Sequence, residues 1–275
     1  MIGSLGGVFG QTGEGPRPGF QEELPPQEEL FNLPCVVDFR VGGLDLCVNK
    51  VVLLEFLVVL IVAGLFFAAF RRPTVVPRGM QNAMEGVYDY VAGNVVSGVI
   101  GPKGLRWQPY LMVLFVFVFV ISLLEVIPGL QFPLSSRIAV PVLLAIGSLL
   151  IYNYAGIKEK GVGGYFKDLM FPPGVPKPAY ILLTPIELIT ALVIRPVTLS
   201  IRLFANFFAG HLLLTVFFFG AAYLIAEPPT IPFAVAAIVM SVLLVGLEIF
   251  IAAVQAYVFT ILTAVYISLS VSHEH

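Results

Sequence analysis

Residues 233–271 read FAVAAIVMSVLLVGLEIFIAAVQAYVFTILTAVYISLSV, in which Glu248 is the single charged side chain. As a straight helix this stretch would reach about 60 Å, roughly twice the thickness of a hydrocarbon core. The apolar stretch before it, residues 180–226, would reach about 70 Å by the same rule. Its charged and histidine side chains are Glu187, Arg195, Arg202 and His211. Both stretches are therefore predicted to be membrane helices that tilt strongly, bend or lie partly along the membrane plane.

The two long helices are predicted to form a hairpin, because the segment Glu227–Phe233 between them contains three prolines. Residues at equal distances from a hairpin turn face each other. This matching places Arg202 opposite Gln255 and His211 opposite Glu248. The Arg/Gln level and the His/Glu level are then separated by roughly 10–14 Å at helical rise, with the His/Glu level nearer the turn.

The rest of the chain supplies three more apolar stretches of spanning length, at residues 51–70, 110–127 and 138–157. Residues 79–100 have apolar side chains at steps of three and four, with Gln81, Asn82, Glu85 and Asp89 on the other side. This pattern is typical of an amphipathic helix at the interface or packed on other helices. Lys158–Pro178 is predicted to be a polar, solvent-facing loop.

The composition agrees with this pattern of segments. Hydrophobic residues make up 58% of the 275, charged residues 12%, and the mean hydropathy is +0.96, which excludes a soluble domain of this length. The sequence predicts an all-α integral membrane protein with about five membrane helices plus one amphipathic helix. Residues 51–275 would form its membrane domain, in contact with the lipid bilayer.

Residues 1–50 are predicted to be a flexible acidic tail and an outer segment. Residues 1–34 are rich in Gly and Pro and carry five glutamates against a single arginine. The net charge of −2 leaves no basic surface for a nucleic acid. Cys35 and Cys47 are too few for a disulfide framework or a zinc site, and whether they bridge each other stays open. No metal site and no cofactor are expected.

Basic residues are distributed unequally between the two sides of the predicted membrane domain. One side has nine: Arg71, Arg72, Arg78, Lys103, Arg106, Lys158, Lys160, Lys167 and Lys177. The other has four: Arg17, Arg40, Lys50 and Arg137. The richer side is predicted to be the cytoplasm, or an organelle's matrix or stroma, with the N-terminus outside and the C-terminus inside. A bacterial plasma membrane is favoured over an organelle inner membrane because no transit peptide is visible.

Arg202 is the charge that most requires an explanation. An ionisable side chain at mid-bilayer costs about 2.5–3.5 kcal/mol on insertion scales, and an arginine cannot lose its proton at physiological pH. Asn206 lies on the same helical face one turn on. The charge must therefore face a water cavity, a mobile counter-charge or a protein partner, the last including a salt bridge with Glu187 or Glu248.

His211 and Glu248 together fit a proton entry path, since both groups can exchange protons near neutral pH in a partly wet site. The alternative for His211 is a buried histidine that is merely hydrogen-bonded. Glu187 lies eight residues before Arg195 and either forms a structural ion pair with it or belongs to the polar path.

Three stretches carry a family resemblance. Pro196–Asn206 (PVTLSIRLFAN), Ala209–Leu213 (AGHLL) and Glu248–Leu262, with its central QAYVF, resemble subunit a of the rotary F-type ATP synthases. The resemblance implies that Arg202 is the essential arginine facing the c-ring. It also implies that the proton path contains Asn206, His211, Glu248 and Gln255. We predict Glu187 as a further member of that path. The implied partners are the c-ring, the subunit b stalk, the other ATP synthase subunits and protons.

The function implied is that of a stator with two aqueous half-channels, which Arg202 separates while proton flow drives ring rotation and ATP synthesis. The chain would not be an enzyme on its own, and no GxxxxGK[ST] phosphate loop occurs in it. An ion-coupled secondary transporter is the alternative, although such proteins commonly show repeats in both halves. A membrane-embedded hydrolase would require a nucleophile beside a base. No histidine lies near an intramembrane Ser or Asp in the sequence.

Overall fold

The computed structural model describes residues 37–41, 44–48, 50–126, 138–171, 180–225 and 228–272. The chain divides into two units, residues 1–53 and 54–275. In the first unit, strands β1 (Val37–Val41) and β2 (Leu44–Val48) form an antiparallel hairpin. This hairpin was not predicted, although two short runs of β-formers separated by Gly42-Gly43 are a hairpin signal. Cys35 lies outside the described residues, so whether it bridges Cys47 stays open.

The helices of the described chain are α1 (Lys50–Phe70), α2 (Met80–Val91), α3 (Gln108–Val126), α4 (Ala139–Met170), α5 (Tyr180–Ile189), α6 (Arg195–Ile225) and α7 (Ile231–Val271). Wider π-helical turns continue α2 through Ala92–Ile100 and join α5 to α6 over Thr190–Ile194. Short 3-10 turns precede α3 and α7, at Pro102–Trp107 and Pro228–Thr230.

Four helical paths in this part of the chain are long and apolar enough to cross a membrane: Gly104–Leu124, Ala139–Met170, Tyr180–Ile225 and Ile231–Val271. Glu55–Phe70 is a shorter apolar helix. The predicted class of an all-α, multi-pass membrane protein is therefore confirmed.

The segment predicted to be amphipathic is helical, and Asn82 and Asp89 of its predicted polar side are exposed, but Gln81 is not. Gln81 is only 7% exposed, whereas Met80 and Tyr88 are exposed. The reason is local, because the Gln81 amide turns inward to hydrogen-bond the backbone of Thr74. Farther along, Val95 packs into the core with residues of α3, α4 and α7.

The prediction of a loop over Lys158–Pro178 is wrong for its first part, because α4 continues as a helix to Met170. A kink at Gly161, whose φ of 75° suits glycine, lets the chain change direction. Beyond the kink, the Tyr165 hydroxyl donates to Asn153 Oδ1 over 2.6 Å. The ring of Tyr165 occupies the space that a side chain at Gly156 would need. Small residues and tertiary packing, rather than apolar periodicity, determine this turn.

The long path from Tyr180 to Ile225 is interrupted before α6. Pro196 has no N–H to donate, and its ring crowds the preceding helical turn. The π-helical turn just before it absorbs this mismatch. The side-chain hydroxyl of Tyr152 donates to the carbonyl of Ala191 within that turn.

The core that positions the polar residues lies where α3, α6 and α7 meet. Leu199 and Leu203 of α6, Val118 of α3 and Phe259 of α7 are almost fully buried there. Each of the two long helical paths also has a long apolar stretch that is mostly uncovered. Only 11% of the most apolar stretch of each of these two paths is buried, against 50% for the Gly104–Leu124 path. These faces are therefore left for lipid or another membrane protein.

Candidate functional site

A cavity of about 160 Å³ lies between α6, α7 and the end of α3. Four of the predicted site residues line it, namely Asn206, His211, Glu248 and Gln255, together with Ser122 of α3. Most of the remaining lining is apolar. The hairpin of α6 and α7 thus brings His211, Glu248 and Gln255 of the two predicted levels into one shared space, but not Arg202.

Asn206 and Gln255 form the inner end of this cavity. The Asn206 amide Nδ2 donates to Gln255 Oε1 over 2.7 Å. Gln255 is only 3% exposed, and its Nε2 has no hydrogen-bond partner in the described chain. Because a buried N–H without an acceptor costs about 1–3 kcal/mol, this group favours an acceptor that enters the cavity.

The predicted pairing across the hairpin is off by one turn at this end. Matching distances from the turn placed Arg202 opposite Gln255, whereas the structure pairs Gln255 with Asn206. Side-chain packing between the helices determines their register, so distance from the turn locates a partner only to within about one turn.

Glu248 lies against the backbone of α6 at Gly210. A Cβ added to Gly210 would be only 2.6 Å from Glu248 Oε1. The missing side chain therefore creates the space that the carboxylate occupies. His211, the next residue, lines the same cavity and is half-buried. The structure shows no direct hydrogen bond or ion pair between His211 and Glu248, so a proton moving between them needs a bridging group.

Arg202 lies outside the cavity, four residues before Asn206. Its side chain is half-buried, between the buried Leu203 and the exposed Ile201. Within the described ranges, Arg202 makes no hydrogen bond and no ion pair. The internal salt bridges with Glu187 and Glu248 that the sequence left open are therefore not formed in this structure.

Beside Arg202, α6 and α7 each carry an uncovered apolar stripe. The exposed residues recur at steps of three and four, as Ile201, Ala205, Phe208 and Leu212 on α6 and Leu243, Leu247, Phe250 and Val254 on α7. A permanent cation thus lies beside an uncovered apolar stripe of α6.

Glu187 is placed away from both the cavity and Arg202. Its Oε1 lies 3.6 Å from a guanidinium nitrogen of Arg195, whose Cζ lies 5.3 Å from the ring centroid of Tyr266. The predicted pairing of Glu187 with Arg195 is therefore present. Arg195 is mostly buried, while Glu187 keeps 35% of its side chain exposed.

Sequence reasoning missed two residues of the site. Ser122 is the one hydroxyl side chain in α3 apart from Tyr110, and an isolated polar residue in an apolar helix is a usable signal. Gly210 lies inside α6 beside the predicted histidine, and a helix-interior glycine often marks a close approach.

Comparison with known proteins identifies the family. The family model described as ATP synthase A chain matches residues 52–268. The protein named ATP synthase subunit a from Frankia alni is 47% identical over 91% of this chain and 87% of its own length. The one from Rhodospirillum rubrum is 40% identical over 87% of this chain and 95% of its own length. The one from Rhodococcus erythropolis is 36% identical over 89% of this chain and 92% of its own length. With its long apolar α6–α7 hairpin and the polar residues between those helices, the chain belongs to the ATP synthase A chain family.

Proposed function

We propose that this chain is the stator subunit through which protons reach and leave the rotor of a bacterial ATP synthase, with Arg202 facing the c-ring. The observation that carries the proposal is the position of Arg202. It is a permanent cation without a partner in the described chain, beside an uncovered apolar stripe of α6. A ring of helices that brings a carboxylate to this face would supply both the missing cover and the missing counter-charge.

Arg202 would act on each rotor carboxylate as it passes. The carboxylic acid pairs with the guanidinium only after it loses its proton, and it must regain one before it moves on into lipid. Since arginine keeps its own proton, it cannot pass protons across. One charge moved through 100 mV supplies about 2.3 kcal/mol for directed rotation.

The cavity would be the half-channel through which protons enter. His211 and Glu248 lie toward the hairpin turn. At helical rise, His211 is about 13 Å along α6 from Arg202. Asn206 and Gln255 lie between them and the level of Arg202. The positive-inside rule places the turn on the outer side, so this path would lead from outside toward the rotor.

A dry layer would prevent protons from bypassing the arginine. Inward of the cavity, Leu199, Leu203 and Phe259 pack together with at most 1% of each side chain exposed. Such an apolar layer holds no group that exchanges protons. Glu187, partly exposed and held by Arg195, would serve the exit path beyond the layer.

Family membership also defines the chain's chemical class and its surroundings. The chain is a membrane subunit that is not an enzyme on its own and takes part in ATP synthesis and ion transport. Its partners would be the c-ring, the subunit b stalk and the other ATP synthase subunits. Its location would be the bacterial plasma membrane, with the N-terminus outside and the C-terminus in the cytoplasm.

Site-specific photo-crosslinking tests the proposed rotor face. A photoreactive residue at Ile201, exposed beside Arg202, is expected to capture a small two-helix ring subunit in native membranes. The matched control is Leu143, which is exposed on α4 and should capture no ring subunit. Capture of the ring subunit from Leu143 but not from Ile201 would refute the proposed face. Absence of any ring in the purified complex would favour the transporter alternative.

A further inference from the structure

A second cavity, of about 530 Å³, lies where α1 ends and α2 begins. Arg71, Arg72 and Arg78 line it, and all three side chains are exposed. Across the described ranges, none of these arginines forms an ion pair. Three cations around one cavity repel each other unless an anion lies between them.

The loop that carries these arginines is held in place by a buried side chain. Gln81 Oε1 accepts a hydrogen bond from Thr74 N over 3.1 Å, and Gln81 Nε2 donates to Thr74 O over 2.9 Å. These two hydrogen bonds to the backbone of Thr74 fold the loop back, so that Arg78 lines the same cavity as the end of α1. The same Nε2 also donates to Glu85 over 2.7 Å. Glu85 accepts this hydrogen bond and, within the described ranges, forms no ion pair with the three arginines.

The start of α2 adds to the positive potential of the cavity. The helix begins after Gly79, whose φ is 59°, and no side chain caps its first turn. Met80 and Gln81, its first two residues, line the cavity. The free N–H groups of a helix N-terminus favour an anion, and here they act together with three guanidinium groups.

Exposed apolar side chains lie on the same two segments as the arginines, the last turns of α1 and the loop after it. Phe67 and Phe70 on the last turns of α1 are exposed, as is Val76 on the loop. The guanidinium of Arg71 lies over the Phe67 ring, 5.4 Å from its centroid. The site therefore offers cations at the end of an apolar helix, with exposed apolar side chains on the segments that carry them, which matches a molecule with an anionic head and hydrocarbon chains.

We infer that this cavity binds the phosphate headgroup of an anionic phospholipid in the leaflet that the end of α1 reaches. Arginine suits phosphate because its planar fork donates two parallel hydrogen bonds. The group that the arginines would bind is a phosphate anion, and free inorganic phosphate carries the same group. The exposed side chains of Phe67, Phe70 and Val76, together with the contact of Arg71 with the Phe67 ring, assign the site to the lipid source.

The test uses the intact purified complex, delipidated in detergent and incubated with photoreactive phosphatidylglycerol. Labelled peptides of this chain are then mapped by mass spectrometry. We expect labelling at residues 67–76, and the loss of one charge-assisted bond in Arg78→Gln should lower apparent affinity about tenfold. Arg78→Lys, which keeps the charge, should retain most of the labelling and shows that the loop still folds. Lys167→Gln removes one exposed charge elsewhere and should change nothing.

Competitors separate the possible ligands in the same assay. Unlabelled phosphatidylglycerol should displace the probe, while phosphatidylcholine and millimolar inorganic phosphate should not. Displacement by inorganic phosphate would overturn the assignment to lipid. Equal labelling in Arg78→Gln and Lys167→Gln would overturn the assignment of the arginines. Absence of labelling in the intact complex would mean that another subunit covers the cavity and would overturn the lipid site.

Discussion

Gly210→Ala adds a single methyl group at the point where Glu248 meets α6. The new Cβ would lie 2.6 Å from Glu248 Oε1, so the carboxylate must retreat by about 0.8 Å to reach the 3.4 Å of ordinary contact. Because the atom in conflict is the end of a flexible side chain, the backbone can stay in place. Alanine also has the higher helix propensity, by about 1 kcal/mol. The fold should therefore be retained while the carboxylate is displaced.

The expected effect is on proton transfer rather than on stability. Holding a side chain off its preferred rotamer costs about 0.5–1.5 kcal/mol, which corresponds to a rate lowered roughly twofold to tenfold. ATP-driven acidification of inverted membrane vesicles measures this rate, and immunoblotting measures the amount of subunit. Gly220→Ala is the matched control, since it lies in the same helix and its added Cβ would have no atom within 4 Å. Glu248→Asp in the Gly210→Ala background removes one methylene and should restore part of the rate. Equal pumping by Gly210→Ala and Gly220→Ala would refute the proposal that proton transfer depends on the position of the Glu248 carboxylate against Gly210.

Two further predictions concern the proton path and the kink in α4. Replacing either His211 or Glu248 alone should slow pumping without a proton leak, and the exchanged double variant His211→Glu/Glu248→His should recover more activity than the single losses predict. Strictly additive losses would show that His211 and Glu248 do not act together. Gly161→Ala places a side chain at φ 75°, so it should lower the free energy of unfolding by about 1–3 kcal/mol. Gly163→Ala is its control, and equal thermal stability of the two purified complexes would contradict this reasoning.

The sequence predicted the membrane helices well because lipid imposes simple requirements on them. Apolar length alone located the helices, and the three prolines in Glu227–Phe233 indicated the hairpin. The helical extension beyond Lys158 was missed because it depends on Tyr165 folding back onto Gly156. The inward turn of Gln81 was missed for a similar reason, since a hydrogen bond to Thr74 outweighs its polarity.

The residues of the site were more predictable than their partners. Ionisable and amide groups in an apolar helix are conspicuous because each is costly there, and four of them do line one cavity. Their contacts depend on the register between α6 and α7, which apolar periodicity does not determine. For this reason the partner of Gln255 is Asn206 rather than a residue at the level of Arg202. Gly210 was not predicted to belong to the site, because it contributes only the space left by its missing side chain.

The central claim is that Arg202 is the cation that couples the rotor to the two half-channels, and ATP-driven proton pumping by inverted vesicles tests it most directly. Arg202→Ala should abolish pumping. Arg202→Lys should also fail, because a compact ammonium lacks the planar fork and can lose its proton when desolvated. Arg195→Ala is the matched control, since that arginine holds Glu187 and packs on Tyr266, and it should only weaken pumping. Equal and mild defects in Arg202→Ala and Arg195→Ala would contradict the account.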